Sequence, residues 1–349
     1  MRSQNPFTHL LLISILLIMA VPGAVSESNL SVPDSSYTIG IIPSGSSSPF
    51  HQELIHAADK TARERNWTVL IFTPDEETNI SFQEDAMNTL ISGDVDLICL
   101  NTLDTDKLAD EIREAESAHI PVFLYNTLVP AKTQNITEYI GYNQYAGAYT
   151  MGVYAARTLA DMKSRAQETV QGRAFILRGL PGFHADQRTA GFIDGLSTSP
   201  GIEIVGEQVA GWDRETARSI AADALKDDPA IDILYGNSDE MAIGAALAVQ
   251  EYGKKVNEEI LCLGIDGNMP TLEMIRNKTM TATLGVYPEK MGETLIVQAK
   301  KVLDGESVPN YLETPAVVID SANLDAYLNG SLWTDPVSSG PEQNEYFLL

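Results

Sequence analysis

The stretch from residue 231 to residue 268 constrains the fold more than any other part of this 349-residue chain. It contains two short apolar runs, 231–235 and 260–265, and glycine and polar residues follow both. Between the runs, apolar residues recur at helical spacing from Met241 to Tyr252, which indicates an amphipathic helix. Two strands joined by a helix are typical of a parallel βαβ unit with a right-handed crossover.

Local chemistry predicts both ends of that helix. Asn237, with Glu240 three residues later, resembles a capping box, in which two side chains satisfy free N–H groups at a helix start. Gly253 is expected to end the helix, because glycine tolerates the left-handed conformation found there.

The same alternation of strand and helix patterns occupies most of the chain. It begins at Tyr37, restarts at Gly172 and continues to about Leu328. Two successive runs of β-then-α units predict an α/β protein with two similar doubly wound parallel-sheet lobes. The remaining segment, 329–349, is rich in Gly, Ser and Pro, so we interpret it as a tail without regular structure.

Polar and aromatic residues follow the ends of the predicted strands. In open parallel sheets, ligands bind outside the carboxyl ends of the strands, so these residues are the candidate ligand contacts. They are Ser44, Ser48, Phe50, Asn126, Arg188, Trp212, Asn237, Ser238 and Asp266. Aromatic faces, hydroxyls, two amides and two charged groups together suit a neutral polyol, because hydrogen bonds between its hydroxyls and charged groups are especially strong.

Some of these residues have an ordinary structural explanation as well. Asn237 is also typical of a helix cap, which is a common role for asparagine after a strand. Phe50 and Trp212 are as consistent with the hydrophobic core as with a ligand contact.

The two charged candidates differ in how well a purely structural role explains them. Arg188 is also compatible with an ion pair on a helix surface, to Asp186 or Asp194. Asp266 directly follows a six-residue apolar run, where an unpaired carboxylate is costly, so a structural role explains it less well. The shared position of the nine residues at strand ends, rather than any one of them, favours a common site.

Composition and motifs exclude several classes of function. A formal net charge of −25 disfavours nucleic acid or an anionic membrane surface as a partner. The sequence has no nucleophile elbow, phosphate-binding loop, zinc-helix motif or dinucleotide fingerprint, and its five histidines form no ligand cluster. We therefore expect no enzymatic activity, no metal and no cofactor. Cys99 and Cys262 each lie in an apolar run, which predicts buried free thiols in different lobes.

The N-terminus has the pattern of a secretory signal peptide over 1–26, followed by a polar linker over 27–36. Arg2 precedes an apolar core at 10–21, and small residues follow at 24–26. The apolar core is shorter than the ~20 residues of a membrane-spanning helix. We predict export to the periplasm or the extracellular space, with an uncleaved N-terminal anchor as the alternative.

Five motifs give the chain a family resemblance. They are Ser48–Phe50, Ile120–Val122, Gln187–Phe192, Asn237–Ala245 and Leu263–Gly267. The chain resembles exported sugar-binding proteins of the ribose-binding type, which share the type I periplasmic binding fold with the effector domains of LacI-type repressors. The resemblance covers about 37–328, and the last two motifs are its most specific part.

The resemblance implies two lobes joined by a three-crossing hinge, with the ligand clamped between them. The expected N-terminal lobe is 37–142 plus 287–315, and the expected C-terminal lobe is 143–286 plus 316–328. The implied sugar contacts, position by position, are Ser44, Phe50, Asn126, Arg188, Trp212, Ser238 and Asp266, with Asn237 beside them. The chain departs from the ribose binders at His51, Thr127 and Val286. We therefore expect a sugar or sugar-like polyol as the ligand, and not ribose itself.

The implied function is that of an extracytoplasmic solute-binding protein, acting as a monomer, that delivers a sugar to an ABC permease. The alternative is a ligand sensor that presents a sugar or an autoinducer-like molecule to a chemoreceptor or sensor kinase.

Overall fold

A computed structural model describes residues 36–45, 48–75, 79–102, 104–131, 135–163 and 170–342. The predicted signal peptide and all of the predicted linker except Ser36 lie outside the described residues. Within those residues, none of the helices has the length and apolar character needed to span a bilayer.

Strands and helices alternate along the described chain. The strands are β1 (Thr38–Ile42), β2 (Thr68–Ile71), β3 (Leu97–Leu100), β4 (Val122–Tyr125), β5 (Glu138–Gly141), β6 (Gly172–Arg178), β7 (Ile202–Val209), β8 (Ile233–Gly236), β9 (Leu261–Asp266), β10 (Ala282–Gly285), β11 (Tyr311–Glu313), β12 (Val317–Ile319) and β13 (Val337–Ser338). The helices are α1 (Pro49–Arg63), α2 (Ile80–Ser92), α3 (Ala109–Ser117), α4 (Gln144–Met162), α5 (Phe183–Ser197), α6 (Arg214–Asp227), α7 (Asp239–Glu251), α8 (Met269–Arg276), α9 (Pro288–Leu303) and α10 (Leu324–Leu328).

The strands form two sheets, and each sheet is the centre of one lobe. The first sheet has the order β13-β11-β5-β4-β3-β1-β2, and the second has the order β12-β10-β9-β8-β6-β7. Most neighbours are parallel, as predicted, but β13 and β12 each pair antiparallel at a sheet edge. The prediction of two similar α/β lobes is therefore confirmed, with one antiparallel pair in each sheet.

Helices cover both faces of each sheet because successive strand residues point to opposite faces. In the first lobe, Ile39 and Leu97 pack towards α1 and α9, whereas Ile98 and Leu100 pack towards α2 and α3. In the second lobe, α4 and α5 cover one face, and α6 and α7 cover the other.

The chain passes between the two sheets four times. It leaves the first sheet after β5, returns between β10 and β11, leaves again between β11 and β12, and returns once more to form β13. The last passage adds to the three that the resemblance implied. The residue bounds predicted for the two lobes stay a prediction.

The βαβ unit that dominates the sequence is present in the second lobe, since β8 and β9 are parallel neighbours joined by α7. The predicted cap is wrong by one residue. Ser238, not Asn237, is the N-cap of α7, and its Oγ accepts a hydrogen bond from the Met241 N–H at 3.4 Å. Gly253 has φ +80°, which is the left-handed conformation expected just after the helix end.

The two cysteines are buried and free, as predicted. Cys99 lies in β3 of the first sheet and Cys262 lies in β9 of the second. Each side chain is fully inaccessible to solvent.

The interpretation of 329–349 as a tail without regular structure is wrong for its described part. Val337 and Ser338 form β13, which pairs with β11 at the edge of the first sheet. Glu342 is buried, with 8% of its surface exposed. Long-range pairing of this kind leaves no periodicity in a short Gly- and Pro-rich segment, so local sequence patterns do not predict it.

Candidate functional site

A cavity of about 40 Å³, partly open to solvent, lies where the strand ends of the two sheets face each other. Residues from both lobes line it: Ser44, Ser48, Phe50, His51, Asn101, Asn126, His184, Arg188, Trp212, Ser238, Glu240 and Asp266. Eight of the nine residues singled out from the sequence are among them.

Asn237 is the one predicted contact that the structure does not place on the cavity wall. Its side chain is fully buried, and its Oδ1 accepts hydrogen bonds from the Gly179 N–H and the Thr189 Oγ, both at 3.1 Å. Its backbone oxygen accepts from Arg188 Nη1 at 2.7 Å. Asn237 thus lies behind Arg188 and supports it.

The first lobe contributes the neutral half of the cavity. Phe50 is buried in the hydrophobic core and lines the cavity as well, so both interpretations of it apply. The Oδ1 atoms of Asn101 and Asn126 are buried and have no hydrogen-bond partner among the described residues. Buried polar atoms are normally paired, so two open acceptors in one cavity indicate a place for hydroxyl or amine donors.

His51 and His184 face the cavity from opposite lobes, and both are neutral. Burial, and then the positive charge of Arg188, lower the pKa of His51 to about 4 and that of His184 to about 3. His51 Nε2 lies 3.0 Å from the Ser44 Oγ. His184 Nε2 lies 3.1 Å from the Asn126 backbone oxygen, which only accepts, so this nitrogen carries the hydrogen.

The second lobe contributes the charged half, with Arg188 at its centre. Arg188 Nε donates to the Gln144 Oε1 at 2.7 Å, and Arg188 Nη1 lies 3.5 Å from the Asp266 Oδ1. Both side chains of that ion pair are only 5% exposed. The alternative partners considered from the sequence are engaged elsewhere: Asp186 pairs with Arg178, and Asp194 accepts from the Tyr145 hydroxyl.

Asp266 is the last residue of β9, and its backbone is strained. Its φ of +141° is a conformation that residues with a side chain rarely adopt, and such strain concentrates at functional sites. Burial raises the pKa of Asp266, and the Arg188 guanidinium opposes that rise. Beneath it, Asp239 fixes the turn by accepting from the N–H groups of Gly267 at 2.9 Å and Asn268 at 3.0 Å.

Trp212 closes one side of the cavity with its indole ring. Arg188 lies over this ring, with its guanidinium carbon 5.6 Å from the ring centre. The ring packs on Gly179, where an added Cβ would meet indole atoms at 2.1 to 2.4 Å. The Trp212 Nε1–H is buried without a hydrogen-bond partner in the described part of the chain, so it is a further open donor beside the cavity.

Polar contacts join the two lobes around the cavity. The Asn126 backbone oxygen accepts from both Gln144 Nε2 at 2.9 Å and His184 Nε2 at 3.1 Å. On the other side, the Met269 N–H donates to the Glu53 Oε1 at 3.3 Å. These bonds show the lobes in contact around the cavity.

Sequence reasoning missed four cavity residues. Asn101 directly follows β3, so the strand-end rule that found the others applies to it as well. His184 is the second residue of α5, at the end of a Gly-rich stretch whose sequence resembles an ordinary turn. His51 and Glu240 each lie one helical turn or less from a predicted contact. Glu240 forms a bidentate ion pair with Arg214 at 2.8 Å.

The cavity as a whole offers hydrogen-bond donors and acceptors with little net charge, because Arg188 and Asp266 balance each other. Among the residues that the structure describes, no group of three or more His, Cys, Asp or Glu side chains is arranged to hold a metal ion.

Comparisons with known proteins agree with this architecture. A family model described as a periplasmic binding protein domain matches residues 39–307. The ribose import binding protein of Bacillus subtilis (strain 168) is 26% identical over 309 residues, which are 88% of this chain and 95% of that protein.

Two solved structures are also similar. A periplasmic solute binding protein of an ABC transporter from Actinobacillus succinogenes 130z, with bound D-allose, superposes with a TM-score of 0.77 at 23% identity and covers 84% of this chain and 100% of its own. The fructose binding periplasmic domain of a hybrid two-component system superposes with a TM-score of 0.73 at 24% identity and covers 84% of this chain and 94% of its own.

Proposed function

The chain belongs to the periplasmic binding protein domain family, and on that premise we propose that it binds a sugar or sugar-like polyol between its two lobes and delivers it to an ABC transporter. The observation that carries this proposal is the cavity between the lobes, where a balanced charged pair faces open amide acceptors. The contacts that we assign to the ligand are Ser44, Ser48, Phe50, Asn101, Asn126, Arg188, Trp212, Ser238 and Asp266.

The charge of the cavity supports an uncharged ligand. Arg188 and Asp266 already neutralise each other, and His51 and His184 are neutral. A charged guest would add an unbalanced charge to a buried space, which costs several kcal/mol when no partner is present. A sugar adds only hydroxyls, each of which both donates and accepts.

The unpartnered hydrogen-bonding atoms of the cavity, together with its aromatic ring, support a hydroxyl-rich ligand. Asn101 and Asn126 supply acceptors from the first lobe, and Trp212 supplies a donor and an aromatic face from the second. A sugar ring has C–H faces that pack on aromatic rings and hydroxyls at its edge. The similar proteins named above bind ribose, D-allose and fructose, which are sugars of this kind.

Binding would proceed by hinge closure. The ligand first meets one lobe in an open form, and the second lobe then closes over it, so that affinity draws on both halves of the cavity. The hydrogen bonds from Gln144 and His184 to the Asn126 oxygen would form or tighten in the closed form. Closure needs no cofactor, and we propose that the ligand leaves chemically unchanged.

The cellular context is proposed from the sequence and the family. The N-terminal segment has the features of a signal peptide, so we place the protein outside the cytoplasm, as a monomer that meets a permease at the membrane. An anchored form with an uncleaved N-terminus is the alternative.

A thermal-shift screen against monosaccharides and polyols tests the proposal. A specific sugar at a hundredfold excess over its dissociation constant stabilises the native protein by ~2.7 kcal/mol, which raises Tm by several degrees. Calorimetry on the hit should then give one site per chain. If no neutral sugar shifts Tm while a charged metabolite does, the proposed ligand class is wrong.

A second function, sensing, is favoured by the similarity to the periplasmic domain of a hybrid two-component system. In that case the closed form would present its ligand to a membrane receptor. Uptake of the labelled sugar in cells with and without the gene separates the two: loss of uptake supports transport, whereas normal uptake with loss of a transcriptional response supports sensing.

A further inference from the structure

The described C-terminal segment, residues 337–342, reaches from the first lobe to the second. Its backbone is fixed to the first lobe, because β13 pairs with β11 and the Glu342 N–H donates to the Leu128 oxygen at 3.0 Å. This segment lies beyond residues 39–307, which the family model matches.

The Glu342 side chain points the other way, towards helix α4 of the second lobe. Its Oε1 accepts a hydrogen bond from the Tyr145 N–H at 3.0 Å, and the residue is only 8% exposed. Tyr145 is the second residue of α4, where helical N–H groups have no partner within the helix. A carboxylate at this end also interacts favourably with the helix dipole.

The neighbouring residue, Gln144, connects this helix start to the cavity. Gln144 is fully buried and does not line the cavity. Its Nε2 donates to the Asn126 backbone oxygen at 2.9 Å, and its Oε1 accepts from Arg188 Nε at 2.7 Å. The first residue of α4 therefore links the central cation of the cavity to the opposite lobe.

From these contacts we infer that Glu342 is a positioning residue for ligand binding, which holds the first turn of α4 so that Gln144 orients the Arg188 guanidinium. The inference rests on the proposed function, since it concerns the same cavity. A group that binds a ligand needs neighbours that fix its geometry, and small errors in position lose affinity. The C-terminal segment supplies that support from outside the part of the fold that the family model covers.

Substitution of Glu342 tests the inference in the full-length protein. Glu342→Ala is expected to bind the sugar found by screening about tenfold more weakly, which is within the range for residues that act on a site indirectly. Glu342→Gln keeps an oxygen that accepts from the Tyr145 N–H and should recover part of the loss. Asp335→Asn, which removes an exposed carboxylate two residues before this segment, should bind like the parent.

A double-mutant cycle separates positioning from a general loss of stability. If Glu342 acts through Gln144, Glu342→Ala should cost little further affinity in a Gln144→Ala background. If the affinity losses of the two single variants multiply in the double variant, the inference is contradicted, because the two residues then act separately.

A readout without ligand keeps this inference distinct from the proposed function. In the ligand-free protein, Glu342→Ala should speed hydrogen exchange of the amides at 144–147 several-fold, while Asp335→Asn should not. If the parent binds no sugar but this exchange responds, the function proposal fails and the link between Glu342 and α4 stands. Unchanged exchange in Glu342→Ala would overturn the inference.

Discussion

The two halves of the cavity, one from each lobe, differ in their chemistry. The second lobe contributes charged groups that already have protein partners, such as Arg188 with Gln144, Asn237 and Asp266. The first lobe contributes neutral groups, among which the amide oxygens of Asn101 and Asn126 have no hydrogen-bond partner in the described structure.

This difference indicates which half of the cavity is ordered before the ligand binds and which half is completed by it. A buried charge is stable only with a partner, so the charged groups of the second lobe are held by protein partners before the ligand arrives. Neutral amide oxygens tolerate exposure to water in an open form and need a donor only once the cavity closes. The second lobe should therefore hold the ligand first, and the first lobe should complete the enclosure.

The buried carboxyl groups of the two lobes repeat this contrast. Asp239 in the second lobe accepts from two backbone N–H groups and from the Thr283 hydroxyl at 2.6 Å. Glu138 in the first lobe is also fully buried, but Gln298 Nε2 alone donates to it, at 2.7 Å, and its Oε2 has no partner among the described residues.

The largest effect is expected at Arg188. Arg188→Met should weaken binding of the identified sugar by about 3 to 4 kcal/mol, a loss of several hundredfold, because it removes a ligand contact and leaves Asp266 buried without its cation. Isothermal titration calorimetry measures the loss. Arg178→Met, in the same lobe but with a partly exposed ion pair to Asp186, is the control and should bind like the parent.

Near-parent affinity of the Arg188→Met variant would break the comparison, because the charged half would then contribute no more than the neutral half.

Removal of the carboxylate below the Asp266 turn should have the next largest effect. Asp239→Ala removes the acceptor of the Asn268 N–H and the Thr283 hydroxyl, and leaves the Gly267 N–H with only the longer bond to Thr283 Oγ1 at 3.3 Å, so the free energy of unfolding should fall by about 3 kcal/mol. Urea denaturation with far-UV circular dichroism measures the change. Asp96→Ala in the first lobe removes an acceptor from a single backbone donor, Thr38 N–H, and should cost about 1 kcal/mol. Equal costs at the two positions would remove the contrast.

Glu138 should give the opposite sign, with a dependence on pH. Burial raises its pKa from 4.5 to about 7, so the folded protein holds this proton more tightly than the unfolded chain does. The stabilisation by the bound proton is complete below pH 4.5 and is lost as pH rises through 7. Relative to the parent, Glu138→Gln should therefore gain about 2 to 3 kcal/mol between pH 5 and pH 8.

Denaturation of both proteins at each pH measures that gain, and Glu306→Gln, an exposed position, is the matched control. Parallel stability curves for the parent and Glu138→Gln would show that Glu138 is better solvated than its burial implies.

The smallest effect is expected at Asn126. Asn126→Gly removes the open amide but keeps the backbone at φ +59°, which glycine adopts readily, so affinity alone should fall, by about 1 kcal/mol or fivefold. Asn66→Gly makes the same change at φ +58° on an exposed turn and controls for backbone entropy. A loss as large as that of Arg188→Met would mean that the neutral half dominates recognition.

Much of the fold and part of the cavity follow from local rules. Apolar runs and helix periodicity predict two α/β lobes, and the strand-end rule finds Arg188 and Asp266, which the structure places 3.5 Å apart. The rule works because parallel strands bring their carboxyl ends to one edge. It also applies to Asn101, which directly follows β3 but is not among the nine predicted contacts.

The remaining features depend on contacts that sequence patterns do not encode. Asn237 and Ser238 are both good capping residues, so only the exact end of β8 decides which of them caps α7. Glu342 meets Tyr145 across a sequence separation of 197 residues, and nothing in a polar tail indicates that partner. The support of Gln144 for Arg188 has the same long-range origin.

The two buried thiols give each lobe its own reporter of unfolding. Cys99 and Cys262 are the only cysteines in the sequence, and one lies inside each sheet. A thiol reagent reaches such a side chain only after its surroundings open, so the rate of modification follows local opening free energy. Labelling followed by mass spectrometry would therefore measure the opening of each lobe separately in the protein without any substitution. A bound ligand that links the lobes should slow the modification of both thiols together.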